Sequence, residues 1–281
     1  MSGAESEDKA PLLEHLIELR RRLLWSLAAL LIAFLGSWAV AAEIFNFLAQ
    51  PLADAFGDQE GAQLIYTSLP EKFFVNVKIA FYTALFIAFP IIANQIWKFV
   101  APGLYKNEKG AFLPYLAATP ILFFLGGAVV YFGIFPLAWK FFLGYQDVAG
   151  DPNAAGVVIE TVAMPKVSEY LSLVITLIFA FGLFFQMPVV LTLLAHAGIV
   201  SADGLAKKRK FAVVAMFGLA AVLTPPDVIS QIGLAVPGLL LYEISILVAR
   251  RIERKRESYF CLLYTSPSPR DRTRSRMPSS A

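Results

Sequence analysis

Glu18 and Glu108 are the two carboxylates in this 281-residue sequence whose setting suggests chemistry. Glu18 stands in HLIELRRR, residues 15 to 22, and Glu108 is the one acid in the basic stretch KFVAPGLYKNEK, residues 98 to 109. A carboxylate can hold a guanidinium through two parallel N–H bonds, a geometry that the point charge of lysine does not reproduce. Two such acids on separate elements would each take one guanidinium of an adjacent arginine pair. Each also has an ordinary reading. Glu18 lies four residues before Arg22, the spacing of a helical ion pair, and Glu108 is flanked by Lys106 and Lys109 as a solvated loop charge. Spacing alone leaves both readings open.

Other chemistries lack the residues they need. One cysteine (Cys261) and two histidines (His15, His196) make neither a disulfide framework nor a zinc constellation. The sequence has no G-x-x-x-x-G-K-[ST], no G-x-G-x-x-G after a strand, no G-x-S-x-G and no H-E-x-x-H. The expectation is a protein that is not an enzyme and that carries no cofactor or metal. Composition says where it sits. Charged residues are 16% of the chain and hydrophobic ones 58%, against about 25% charge in a soluble domain, so the chain belongs in a membrane.

The elements that must position the acids are spanning helices, each needing about 20 apolar residues. Such runs occupy Leu23 to Ala42, Phe73 to Ile96, Ala111 to Pro136 and Ser168 to Ala195. A fifth, Lys210 to Thr224, stops at Pro225-Pro226, and a sixth, Val228 to Ala249, follows at once. The fifth is only about 21 Å long against a hydrocarbon core of about 30 Å; both are expected to be short, in a thinned bilayer. Lysine and arginine put sixteen residues on the side of the N-terminus and three, Lys72, Lys140 and Lys166, on the other. That asymmetry places both termini in the cytoplasm and favours six spans. The start also has features of a cleavable signal, RRR before an apolar run ending at Ala39 to Ala41. The run is too long for that, and cleavage would break the charge parity. The fold expected is all-α: residues 1–22 a tail and interfacial amphipathic helix, 23–256 a six-helix bundle, 257–281 a disordered tail. From about residue 261 the Ser, Pro and Arg composition also fits a non-native stretch.

Polar groups inside spans should face the bundle, a partner or water. They are Lys78, Gln186, Gln231 and Glu243, with Asp227 at the short turn between the last two spans. Gln186 precedes Pro188, which is expected to kink span four; its amide suits a bond inside the bundle or to a partner's helix. Glu243 is read as an internal pair or a protonated carboxyl. Asp227 in Thr224-Pro-Pro-Asp227 is placed to cap span six.

These segments, with Pro51 in LAQPL, YFGIFPLA at 131 to 138, the Gln-Met-Pro of span four, KKRKFAVVAMFGLAAVLTPPDVISQ at 207 to 231 and IGLAVPGLLLYEI after it, resemble the TatC family. That family supplies the polytopic subunit of the twin-arginine, Sec-independent protein translocase. The resemblance runs in order from about Pro11 to Arg256. It implies a receptor for twin-arginine signal peptides of folded proteins at the cytoplasmic face of the bacterial inner membrane. Assembly with single-span TatA- and TatB-type partners, homo-oligomerisation within the complex, drive from the proton-motive force and no nucleic acid are implied as well. By the same resemblance Glu18, Glu108, Arg20 and Phe99 contact the signal peptide, and Gln186, Thr224, Gln231 and Asp227 a partner's helix. Pro51 falls in the first outer loop, which shapes a periplasmic cap. Many relatives carry glutamate at Gln186, so no proton can move on that residue here. The competing reading is a secondary transporter or ion channel using Glu243, Lys78 and Asp227; the absence of an internal repeat or of paired broken spans speaks against it.

Overall fold

The computed structural model describes residues 9–57, 63–104, 109–144, 148–149, 159–160, 164–223 and 228–265. The described chain is almost entirely helical. α1 (Lys9–Ala39) leads into α2 (Ala41–Phe56), followed by α3 (Glu71–Leu104) and α4 (Lys109–Val129). One π turn (Val130–Ile134) joins α4 to α5 (Phe135–Leu143). After them come α6 (Val167–Phe184), α7 (Met187–His196), α8 (Ala202–Lys207), α9 (Arg209–Leu223) and α10 (Val228–Thr265). A two-residue antiparallel ribbon, Val148–Ala149 against Ile159–Glu160, is the strand structure between α5 and α6.

Among the described residues, five stretches are long and apolar enough to cross a membrane: His15–Ala39, Glu71–Phe99, Pro114–Leu143, Val167–His196 and Gln231–Arg254. Prolines shape two of them. Pro136 cannot donate to the carbonyl a turn back, and just before it the ladder widens, the Phe135 N–H reaching Val130 O. Pro188 breaks span four between α6 and α7: the Phe185 N–H still reaches Phe181 O at 2.8 Å, Gln186 turns back to Leu183 O at 3.0 Å, and α7 restarts with the proline in its first turn. The kink expected from the sequence is there.

Several expectations change. The amphipathic segment and the first span form one helix of 31 residues, because nothing between Glu14 and Leu27 interrupts helical pattern or propensity. Pro51 lies inside α2, not in a loop. Leu48, Pro51, Leu52 and Phe56 recur at helical spacing and are buried, and this burial outweighs the proline. The ring deprives the Phe47 carbonyl of its helical donor, and the Tyr131 hydroxyl donates to that oxygen at 2.7 Å. α9 is short, 15 residues, as expected. The last helix is not: α10 runs 38 residues, since the arginines, lysines and glutamates after Ala249 continue a helix outside an apolar core as well as they would begin a tail. It passes residue 257, where the compositional tail begins, and ends at Thr265; residues 266–281 lie outside the described residues.

The core lies where α2, α3, α5, α6 and α10 meet. Ile79, Val130, Phe135, Leu171, Val174, Leu177, Phe181 and Leu234 are almost wholly enclosed. α4 and α6 cross closely because Gly126 and Gly182 present no side chain: a Cβ on Gly126 would stand 2.7 Å from Phe181 O, and one on Gly182 2.6 Å from the Phe123 ring. A second cluster joins α7, α8 and α9 to α10 through Ala195, Leu205, Met216, Tyr242 and Ile246. α1 stands apart, with 6% of its apolar window buried, against α3 as its main neighbour.

Candidate functional site

Lysines and arginines gather at one end of the bundle, where α1 begins, α3 ends and α8 leads into α9. Glu18 sits there on the first turns of α1, partly exposed. One oxygen, Oε1, accepts two N–H groups of Arg22, from Nε at 3.1 Å and from Nη2 in a closer contact. This is the i,i+4 pair that the spacing allowed, and among the described residues Oε2 accepts no hydrogen bond. Arg22 in turn accepts from Ser26, whose hydroxyl donates to its carbonyl at 3.1 Å.

His15, one turn before Glu18, stacks on Phe99 with ring centroids 4.2 Å apart and planes 19° from parallel. That contact brings the end of α3 against the start of α1, so Glu18 and Phe99 share one neighbourhood. Arg20 is exposed on the same turn. Glu108 lies outside the described residues. Beside the Glu18–Arg22 pair, Arg21, Arg22, Trp25, Gln95 and Lys98 enclose a polar recess of about 360 Å³ between α1 and α3.

Deeper in the bundle the polar groups find partners that the sequence does not specify. Gln186 Nε2 donates to Thr119 O at 2.8 Å, and Thr119 Oγ1 accepts from Trp97 Nε1 at 2.9 Å while donating to Tyr115 O at 2.8 Å. Thr119 therefore ties α3, α4 and the kink of span four. Gln186 is satisfied internally on its amide side. Its Oε1 is buried and, among the described residues, accepts no bond. Gln231 Nε2 donates to Phe217 O at 3.2 Å, linking α10 to α9. Thr224 and Asp227 lie outside the described residues.

Glu243 forms the internal pair that was one of its two readings. Arg209 grips it as a fork, Nε to Oε1 at 2.7 Å and Nη2 to Oε2 at 2.7 Å, with both side chains about half exposed. The partner comes from 34 positions earlier, a distance no local pattern reveals. Lys78 donates to Ser172 Oγ across the α3–α6 contact. Lys78 and Glu243 thus have separate partners, which removes two of the three groups offered for an ion path from any common chain of bonds.

Two more functional anchors escaped the sequence. Glu253 accepts from the Ala202 N–H at 2.8 Å, so the start of α8 is pinned to α10, and Ser201 caps the same helix through the Gly204 N–H at 3.1 Å. At the opposite end Glu71, 8% exposed, accepts from the Thr67 N–H at 2.9 Å and the Ser168 N–H at 3.3 Å, with Lys166 at 3.9 Å. It fastens the approach to α3 onto the start of α6. The parallel bridge between Ile65 and Lys166 runs alongside.

A family model described as Sec-independent protein translocase protein (TatC) matches residues 14–237. A Sec-independent protein translocase protein TatC of Magnetococcus marinus is 50% identical over 250 residues, covering 89% of this chain and 88% of that protein. The protein of the same name from Escherichia coli is 38% identical over 244 residues, 87% of this chain and 90% of its own length. Among solved structures, one described as the twin arginine translocase receptor TatC superposes with a TM-score of 0.69 at 37% identity, covering 85% of this chain and 99% of its own.

Proposed function

Because the chain belongs to the TatC family of Sec-independent protein translocase proteins, we propose that it binds the twin-arginine signal peptides of folded export substrates, with Glu18 and Glu108 each receiving one guanidinium. As a member of that family it is a membrane component of a protein translocase and not a catalytic enzyme. The observation that carries the finer reading is the state of Glu18. Its carboxylate already holds a guanidinium through two N–H groups on one oxygen, and among the described residues its second oxygen accepts no hydrogen bond. An arginine from a peptide needs that same contact, and lysine cannot supply it. Phe99 lies near the contact through its stack on His15, and Arg20 is exposed on the same stretch of α1.

The basic end faces the cytoplasm of a bacterial inner membrane, with α9 counted as the short span that brings the total to six; the sixteen-to-three asymmetry of Lys and Arg supports this orientation. Gln186, Thr224, Gln231 and Asp227 receive the helices of TatA- and TatB-type partners in an assembly that holds more than one copy of this chain and is driven by the proton-motive force. The shortness of α9 favours that role. α2, held by Tyr131 and Tyr170 on the carbonyls of Phe47 and Leu48, with Pro51 at its centre, forms the cap on the other side. The test is equilibrium binding of a fluorescent twin-arginine peptide to the protein in nanodiscs. Glu18→Ala and Glu108→Ala are each expected to weaken it about tenfold or more while the bundle stays folded. Wild-type binding in both variants would reject the site.

A further inference from the structure

The recess between α1 and α3 is lined by three cations, one amide and one indole: Arg21, Arg22, Lys98, Gln95 and Trp25. No acid lines it. Arg22 is engaged by Glu18, whereas among the described residues neither Arg21 nor Lys98 enters an ion pair. Two cations outside those ion pairs, from two different helices, therefore converge on a polar cavity of about 360 Å³. Charge of one sign in a concave site between spanning helices selects an anion.

The surroundings say what kind. Trp25, 65% exposed, stands where the polar turns of α1 give way to its apolar length, the level at which indoles anchor at a membrane interface. Seven residues on, along the same helix face, Ile32 is 73% exposed, and α1 as a whole leaves its apolar surface uncovered. A ligand reaching from the recess past Trp25 thus meets apolar side chain rather than water.

We propose that the Arg21, Arg22, Trp25, Gln95 and Lys98 recess binds the phosphate of an anionic phospholipid, whose acyl chains lie along the exposed face of α1. Arg21 and Lys98 supply the charge, Gln95 an amide donor, and Trp25 the wall between headgroup and chain. A free oxyanion would use the same cations and gain nothing from Trp25 or Ile32. The lipid would also brace α1 on α3, the main contact that holds this helix to the bundle.

The experiment is lipid retention, read by native mass spectrometry of protein released from nanodiscs of equal phosphatidylglycerol and phosphatidylcholine, without signal peptide. It is therefore independent of peptide recognition. The wild type is expected to retain phosphatidylglycerol about tenfold over phosphatidylcholine, and Arg21→Gln/Lys98→Gln to lose that preference. Lys207→Gln/Lys208→Gln, which removes the same charge from the same end, should keep it. Loss in the control pair would show diffuse surface attraction and overturn the proposal, as would retention unchanged in Arg21→Gln/Lys98→Gln. Displacement of the lipid by excess inorganic phosphate would assign the recess to a free anion and overturn it too.

Discussion

Replacing Gly126 by alanine tests whether the close crossing of α4 and α6 sets the bundle's geometry. The added methyl would stand 2.7 Å from Phe181 O, 2.9 Å from Phe181 C and 3.0 Å from Gly182 Cα, all backbone atoms. None can swing aside. Phe181 O is fixed by accepting from the Phe185 N–H at 2.8 Å, just where the chain turns before Pro188. Moving that contact out to the 3.4 Å of ordinary packing asks the helices to part by about 0.7 Å. Parting them loosens Phe123, which is fully buried, stacks on Phe89 at 3.6 Å and leaves no room beside Gly182. Overpacking of this kind costs about 1 to 3 kcal/mol. Gly218 on α9 is the control, since nothing lies within 4 Å of its Cβ position. Unfolding by sodium dodecyl sulfate in bicelles, followed by tryptophan fluorescence, should show Gly126→Ala less stable by that amount and Gly218→Ala no less stable than wild type. Equal stability of Gly126→Ala and wild type, or equal losses in the two variants, would refute the reasoning.

Further outcomes follow from other contacts. Tyr131→Phe removes the donor to the carbonyl that Pro51 orphans and is expected to cost about 0.5 to 1.5 kcal/mol. In a Pro51→Ala background, where the backbone N–H returns, the same change should cost close to nothing; additive losses in the double-mutant cycle would contradict the link. The half-exposed Arg209–Glu243 fork should contribute at most about 1 kcal/mol, with Arg209→Glu and Glu243→Arg each destabilising and the double variant recovering. A double variant worse than either single one would dismiss that pairing. Gln186→Leu gives up the bond to Thr119 O, about 0.6 kcal/mol on average within a membrane, and also removes an unaccepted buried oxygen; a loss above about 2 kcal/mol would mean that the amide has partners beyond Thr119.

What the sequence disclosed and what it hid divide along physical lines. Long apolar runs with few charges locate spans directly, and Pro188 located the break in span four because a missing N–H acts within one turn. α2 was passed over because a 16-residue amphipathic helix containing proline satisfies neither the length of a span nor the usual rule for a helix interior. Its signal was present in Leu48, Leu52 and Phe56, spaced by four. The length of α10 was hidden for the opposite reason: charge ends an apolar run without ending a helix. The Glu18–Arg22 contact is local and could be read from spacing; Arg209–Glu243, Lys78–Ser172 and Glu253–Ala202 join positions 34, 94 and 51 residues apart and exist only in the fold. The meeting of His15 and Phe99 belongs to the same class. The family resemblance paired Glu18 with Phe99 in one role, while their nearness arises from the contact of α1 with α3.

The most direct test of the receptor reading compares Arg-Arg with Lys-Lys signal peptides of otherwise identical sequence, binding to the wild-type protein in nanodiscs across a salt titration. A carboxylate that takes a guanidinium through a fork predicts a preference for Arg-Arg of about tenfold or more, persisting at high salt after long-range attraction to the peptide is screened. Equal binding of the two peptides, or a preference that vanishes with salt, would contradict it and leave Glu18 as the intrahelical partner of Arg22 alone.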